Sequence, residues 1–421
     1  MGKETPKSAL EAALVRRRYV HFDAPLSRSA CEQLVCDPEA VRRHAFYPFI
    51  RHDNVRNKFK RIGPGQVRRS KKIRDIRYAA HADAAIYAYY NFLLTRRLED
   101  ELKARHLAEN VIAFRALNKS NVDFAQEVFS WINSHRPCTA LGFDVRDFFG
   151  SLDHSLLREQ WISLMGFKTL PDDHFAVFKS LTKHASVELI AARKALNLSR
   201  TSLARIDRLC DSAAFRTNIR GGNLIEINPK DRGIPQGSPI SAALSNIYML
   251  PFDEKVKSAV EARGGMYRRY CDDILVVVPG EDVGAIYKLV KSELDALKLA
   301  MQDAKTVESY FESGRSARPL PYLGLVYDGV EVFLRASGVS RFYVKMRRGV
   351  NQFRSAKTSD GGVALLVQRR KHLLNRYSEH TPKDGRSFLK YAKMAARKTG
   401  TGAVSTQLRA HRRKLKALME D

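Results

Sequence analysis

A chain of 421 residues, 44% apolar and 28% charged, has the make-up of a soluble globular protein with room for two or three cores, which excludes a disordered or fibrous chain. No stretch approaches 18 consecutive apolar residues and the first seven, Met-Gly-Lys-Glu-Thr-Pro-Lys, lack an apolar signal core, so neither membrane span nor export is expected and the cytoplasm is the expected location. A formal net charge of +28 points to a polyanionic partner, nucleic acid first.

The charge is unevenly spread. Residues 331–421 hold 22 Lys and Arg against 6 Asp and Glu, and residues 51–77 hold 11 basic side chains against Asp53 and Asp75. Two basic regions around a more neutral middle suit a clamp on a phosphate backbone. The five cysteines (Cys31, Cys36, Cys138, Cys210 and Cys271) form no CxxC, which argues for reduced thiols and against a zinc site.

In chain order, residues 1–45 read as polar helix, with a capping signal between Asp23 and Ser27. Residues 51–77, with Gly63-Pro64-Gly65 among the charges, read as a mobile basic loop. Ala84 to Leu107 and Phe124 to Ile132 carry helical apolar spacing, and Ala140 to Val145 reads as a short strand. Leu152-Asp153-His154-Ser155 opens a helix through Met165, and Gly221-Gly222 centres an expected hairpin over 219–232. Gly233 to Met249 begins as a Gly/Pro loop and becomes a helix. Tyr267 to Tyr270 and Ile274 to Val278 read as two strands joined at Cys271-Asp272, followed by a helix with Ile286, Val290, Leu294 and Leu297 on one face. Beyond Leu325 the chain is expected to be basic and mostly helical, with a loop at 359–362 and one last helix carrying Val404, Leu408, Leu415 and Leu418.

Three stretches carry chemistry. Asp144 stands at the end of an apolar strand within Gly142-Phe143-Asp144-Val145-Arg146-Asp147-Phe148-Phe149. Asp272 and Asp273 are adjacent in Tyr270-Cys271-Asp272-Asp273. Taken alone, each aspartate could be a cap or turn residue. Together they offer hard oxygen ligands from separate elements, as two-metal phosphoryl transfer requires. Between them lies Gly233-Ile234-Pro235-Gln236-Gly237-Ser238-Pro239, whose glycines and prolines fix a backbone able to approach a nucleotide closely.

A strand-terminal Asp, then Pro-Gln-Gly-Ser-Pro, then Tyr-Cys-Asp-Asp, in this order, resembles the reverse transcriptase family. The resemblance implies an α+β right-hand polymerase fold: an N-terminal helical extension over 1–45, fingers over 46–140, a palm over 141–325 with a fingers-like insertion around 170–232, and a basic helical thumb over 326–421. It implies RNA-directed DNA synthesis from dNTPs, with two Mg²⁺ ions held by Asp144, Asp272, Asp273 and the backbone carbonyl of Val145. Lys305 matches the lysine implied as general acid for the pyrophosphate. Lys72 and Arg74 match the fingers cations on the triphosphate, and Gln236 with Gly237 the nucleotide contact. Phe149 matches the steric gate beneath the sugar, with its neighbour Phe148 facing the core. Tyr322-Leu323-Gly324 matches the primer grip.

Within the family, His44-Ala45-Phe46-Tyr47-Pro48-Phe49-Ile50, Tyr87-Ala88-Tyr89-Tyr90 and Phe388-Leu389-Lys390-Tyr391-Ala392 are similar to the bacterial unknown-group and defence-associated enzymes, the type 2 defence-associated group above all. That likeness implies a structured non-coding RNA as template and scaffold, a cDNA product, and a role in blocking phage. Gln407 and Arg409, Arg412 and Arg413 are the candidates for RNA-specific contact. Two other readings stay open: a template-independent or protein-primed DNA polymerase, and a non-catalytic RNA-binding scaffold or maturase. Nothing in the sequence sets the oligomeric state, the primer or the trigger.

Overall fold

The computed structural model describes residues 8–63, 66–357, 363–378 and 387–420. Two charged segments, β1 (Phe49–Gly63) and β2 (Gln66–Tyr78), pair antiparallel from Ile50↔Tyr78 to Gly63↔Gln66. The expected mobile loop over 51–77 is therefore corrected to a long hairpin; Pro64 and Gly65 lie outside the described residues. Its base is anchored by buried Phe49 and Ile50, whereas the cross-strand pair Val55 and Ile73 is exposed on the arm. Main-chain ladder bonds hold the projecting part, so its side chains never needed the apolar alternation that marks a half-buried strand.

The helix His81–Ala104 buries Ile86, Tyr90, Leu94, Leu98 and Leu102, one residue per turn. The helix Asn121–Ser134 opens with a capping box between Ser120 and Asp123. The remaining strands are β3 (Cys138–Asp144), β4 (Ala185–Glu188), β5 (Glu226–Ile227), β6 (Met266–Tyr270), β7 (Asp273–Val278), β8 (Val307–Phe311), β9 (Leu320–Tyr322), β10 (Leu325–Tyr327) and β11 (Val332–Leu334). They form sheets ordered β2-β1-β4-β5, β6-β7-β3-β8 and β11-β10-β9. In the second, every neighbouring pair is antiparallel.

The continuous apolar run of β7 is explained by cover on both faces. Ile274, Val276 and Val278 enter one core with the helices His81–Ala104, Ser241–Tyr248, Leu250–Glu261 and Val283–Ala296. Leu275 and Val277 enter a second core with the helix Asn121–Ser134, the three-stranded sheet and the helix Phe388–Thr399. Each buried valine contributes about 1.5–3 kcal/mol, so the strand that begins at Asp273 is among the most firmly held.

Two further expectations are corrected, and a third, the mostly helical chain beyond Leu325, holds with two short strands ahead of the helices. Residues 219–232 form no hairpin: a π-helical turn Phe215–Arg220 precedes β5, which pairs with β4 instead. The chain after Leu325 first makes β10 and β11, and helix begins only at Ala336. The single last helix is two, Ala403–Leu408 and His411–Glu420. The C-terminal helices share a small core of their own around Phe342, Met346, Val350, Leu373, Tyr377 and Leu415. Among the described residues no helix is long and apolar enough to cross a membrane.

Candidate active site

Asp144 is the last residue of β3 and stands directly across from Asp273, the first residue of β7. On the other side Asp273 pairs with Tyr270, which closes a two-residue hairpin turn over Cys271 and Asp272. Side chains of directly opposed residues lie about 4.5–5.5 Å apart at Cβ, so the ladder brings two carboxylates together and the turn adds a third. Cys271 has φ of 60°, a left-handed conformation that such turns usually give to glycine.

A buried arginine holds that strained turn. Arg269 of β6 is wholly enclosed and binds Asp253 through two bonds of 2.6 Å each. Its Nη1 donates to the Cys271 carbonyl at 3.2 Å and to Asn246 Oδ1 at 3.1 Å. Tyr267 donates its hydroxyl to the same Asp253 at 2.5 Å. Burial alone would lower the Arg269 pKa; the Asp253 carboxylate more than reverses this and keeps the guanidinium charged. Burial and then Asp272 push the Cys271 thiol up to about 12, so it stays neutral beside the acids.

Lost hydration, then the like charges of Asp272 and Asp144, push the Asp273 carboxyl up to about 6, against the pull of Arg335 and Lys305. Asp273 keeps an exposed edge, so the like charges are the cause that a cation would remove. Lys305 forms an ion pair with Asp144. Arg335, just before the first C-terminal helix, is a charged neighbour of the acids that the sequence did not single out.

No three acidic, imidazole or thiol groups among the described residues stand as a ready metal cage. The donor set nevertheless suits a hard divalent cation: three carboxylates at one corner, with mutual repulsion that a cation relieves. Val145 follows Asp144 and bridges to Met301. The two bonds of that bridge come from Arg146 N–H to Ala300 and Gln302 N–H to the Asp144 carbonyl, which leaves the Val145 carbonyl out of the pairing.

Asp144, Val145, Asp272 and Lys305 open onto a cleft of about 730 Å³ that Lys72, Arg74 and Gln236 also line, whereas Asp273 is not among its lining residues. Phe148 and Phe149 both line the cleft and both pack on the core beneath, but Phe148 is buried whereas Phe149 is half-buried and keeps surface toward solvent. The two rings sit on a short helical turn, Phe148–Ser151, that follows Asp147 at φ of 45°. Gly237 is not among the cleft-lining residues. Its φ is +120°, and an added Cβ would lie 2.6 Å from the Arg77 carbonyl, so it lets the loop close on the hairpin. Arg77 N–H also donates to the Gln236 carbonyl at 2.9 Å. The structure thus seams β2 to the Pro-Gln-Gly loop. Asp147, His184, Asn228, Lys230 and Arg232 line the cleft as well. Asp147 and Arg232 flank the motifs and were legible by position; His184 and Asn228 carry no sequence signal.

Tyr322, Leu323 and Gly324 form the β9–β10 turn, with positive φ at Leu323 and Gly324. The buried Tyr322 hydroxyl has no hydrogen-bond partner among the described residues. Arg409 and Arg413 are exposed at the two C-terminal helices, and the Arg412 side chain lies outside the described set. Gln407 is removed from the RNA-contact candidates. Its amide accepts from Leu334 N–H at 2.8 Å and donates to the Leu334 carbonyl at 3.1 Å, finishing the open edge of β11.

The family description "Reverse transcriptase (RNA-dependent DNA polymerase)" matches residues 84–327, the span that holds all three carboxylates and the Pro-Gln-Gly loop. The chain belongs to the reverse transcriptase family. No curated protein matches it. Among solved structures, this reverse transcriptase is similar to apo telomerase from Candida tropicalis, 11% identical over 95% of this chain and 60% of that one, with a TM-score of 0.48. A form of that telomerase truncated from the C-terminal domain is 13% identical over 74% and 61%, with a TM-score of 0.42. Candida albicans telomerase in complex with a TWJ fragment of telomeric RNA is 13% identical over 90% and 62%, with a TM-score of 0.38. The chain thus spans about three-fifths of the length of those telomerase chains.

Proposed function

We propose that this reverse transcriptase is an active RNA-directed DNA polymerase that copies an associated structured non-coding RNA into cDNA, in antiphage defence in the cytoplasm. The observation that carries the polymerase reading is the Asp144–Asp273 cross-strand pair with Asp272 on the adjoining turn, beside a cleft that Asp144 and Asp272 line with Lys72, Arg74 and Lys305. A scaffold that only bound RNA would gain nothing from three converging carboxylates beside a polyanion. The non-coding RNA and the defence role rest on the motif likenesses and on the two basic regions.

In this reading residues 49–78 act as fingers, the β6-β7-β3-β8 sheet as palm and the helices from Ala336 as thumb. Asp144, Asp272, Asp273 and the Val145 carbonyl would hold two Mg²⁺ ions, which would supply activation of the 3′-hydroxyl and charge neutralisation at the phosphates. Lys72 and Arg74, two residues apart on one face of β2, draw the triphosphate into line, and Gln236 orients the nucleotide. Lys305 leaves Asp144 to protonate the departing pyrophosphate. The ring of Phe149 fills the space a 2′-hydroxyl would need.

The test is to purify the protein with its bound nucleic acid, supply Mg²⁺ with labelled dNTPs or rNTPs, and sequence the product. DNA complementary to one co-purified RNA is the expected outcome, and EDTA abolishes it. Untemplated DNA would transfer the reading to a template-independent polymerase. Phe149→Val is expected to raise rNTP use relative to dNTP roughly 10–100-fold, because one lost ring contact is worth a few kcal/mol in discrimination. An unchanged ratio would remove Phe149 from that role. RNA affinity is expected to fall steeply and log-linearly with salt in a filter-binding titration, and a flat response would refute the phosphate clamp.

A further inference from the structure

A second cavity, of about 400 Å³, lies between residues 45–48 and the π-helical turn Phe215–Arg220. It shares no lining residue with the catalytic cleft. Its floor is aromatic. Tyr47 meets Phe215 edge-on with centroids 5.2 Å apart, Phe22 supports Phe215 from behind at 4.9 Å, and Phe46 adds a further ring to the lining. Phe46 and Tyr47 keep part of their surface in solvent.

Arg216 and Arg220 complete the cavity, and both are exposed. Among the described residues neither guanidinium has an ion-pair or hydrogen-bond partner, and no Asp or Glu lines the cavity. The acids nearby in sequence are engaged elsewhere: Glu226 with Arg51 at 2.5 Å, and Asp211 with the Ala214 N–H at 2.8 Å. The π-helical turn is itself informative, because this rare geometry concentrates at functional sites. Here it buries Phe215 and Ile219 while setting the two arginines about one turn apart at the opening.

Unpaired guanidinium groups over an aromatic floor match an anion joined to a flat ring. We propose that this cavity takes one unpaired nucleotide of an RNA strand, its base among Phe46, Tyr47 and Phe215 and its phosphates at Arg216 and Arg220. Bases splayed out of a loop stack on aromatic rings in this way, whereas bases of a continuous duplex cannot enter. Guanidinium forks suit phosphate oxygens bidentately. The inference rests on the reading that the protein carries RNA, and it adds a second anchor outside the catalytic cleft. That anchor would hold the RNA while the cleft advances along it.

The experiment uses the full chain, a thiouridine-labelled oligo(U), a blunt RNA duplex and UMP, with cross-links mapped by peptide mass spectrometry. Cross-links to the peptides bearing Tyr47 or Phe215, from oligo(U) and not from the duplex, are expected. Arg216→Ala/Arg220→Ala should lose them, weaken oligo(U) binding about tenfold, and lower the log–log salt slope by about 1.4, the release expected for two single-strand phosphate contacts. Both side chains are exposed, so an unchanged melting curve for this variant separates the effect from unfolding. The proposal is overturned by cross-links confined to the catalytic cleft, by an unchanged salt slope, or by UMP competing as well as oligo(U), which would make the ligand a free nucleotide. Capture of an acidic peptide with no RNA cross-link would overturn it too. Loss of dNTP incorporation with cross-links intact would instead count against the polymerase reading alone.

Discussion

Asp272→Asn is expected to cut Mg²⁺-dependent DNA synthesis by roughly a thousandfold or more without harming the fold. The side chain stands on a two-residue turn outside both cores, so the substitution removes charge and no packing. Losing one hard ligand and its negative charge forfeits several kcal/mol of transition-state stabilisation, and each 1.36 kcal/mol is a factor of ten in rate. The native fold should gain slightly, because Asp272 is one of the like charges that raise the Asp273 carboxyl. The measurement pairs dNTP incorporation on the co-purified RNA with a thermal melt. Synthesis at near wild-type rate with an intact melt would mean that the carboxylates do not hold the catalytic cations, and would promote the scaffold reading.

How much of this was written in the sequence depends on where each residue's reason lies. The strands ending at Asp144 and beginning at Asp273 were legible because cover on both faces demands an unbroken apolar run. The helices with buried residues at every turn were legible for the same kind of reason. The β1–β2 hairpin was not: Val55 and Ile73, paired across the arm, are exposed and leave no buried apolar face to read, so the sequence shows the charge and hides the ladder. Gln407 looked like one more polar residue on a basic helix, because its partner, Leu334, is distant in sequence. Gly237 was marked for a close approach to a nucleotide, and the close approach present is to the Arg77 carbonyl. Arg268 and Arg269 are identical neighbours in the sequence. Only the packing separates them, half-exposing the first and enclosing the second.

That enclosed arginine carries the second large expectation. Arg269→Met leaves the Asp253 carboxylate buried without its partner, which should cost about 3–5 kcal/mol, and it removes the donor that holds the Cys271 carbonyl. The melting temperature should drop by roughly 5 °C or more. DNA synthesis should drop with it, and the apparent Mg²⁺ requirement should rise, since Asp272 sits on the turn that Arg269 fixes. Instability alone could explain lost activity, so the decisive comparison is Arg269→Met/Asp253→Leu. Replacing both partners of a buried pair with apolar groups of similar volume removes the stranded charge, and stability should recover in part. Recovery stops short of wild type because the Tyr267 hydroxyl loses its acceptor and Asn246 its donor. The Cys271 carbonyl still lacks its bond, so a left-handed cysteine turn is no longer over-determined. If synthesis and Mg²⁺ response stay impaired while the melt recovers, Arg269 is a positioning residue acting through the turn. If both return together, the pair serves the fold, and the placement of Asp272 is set by the β6–β7 ladder alone.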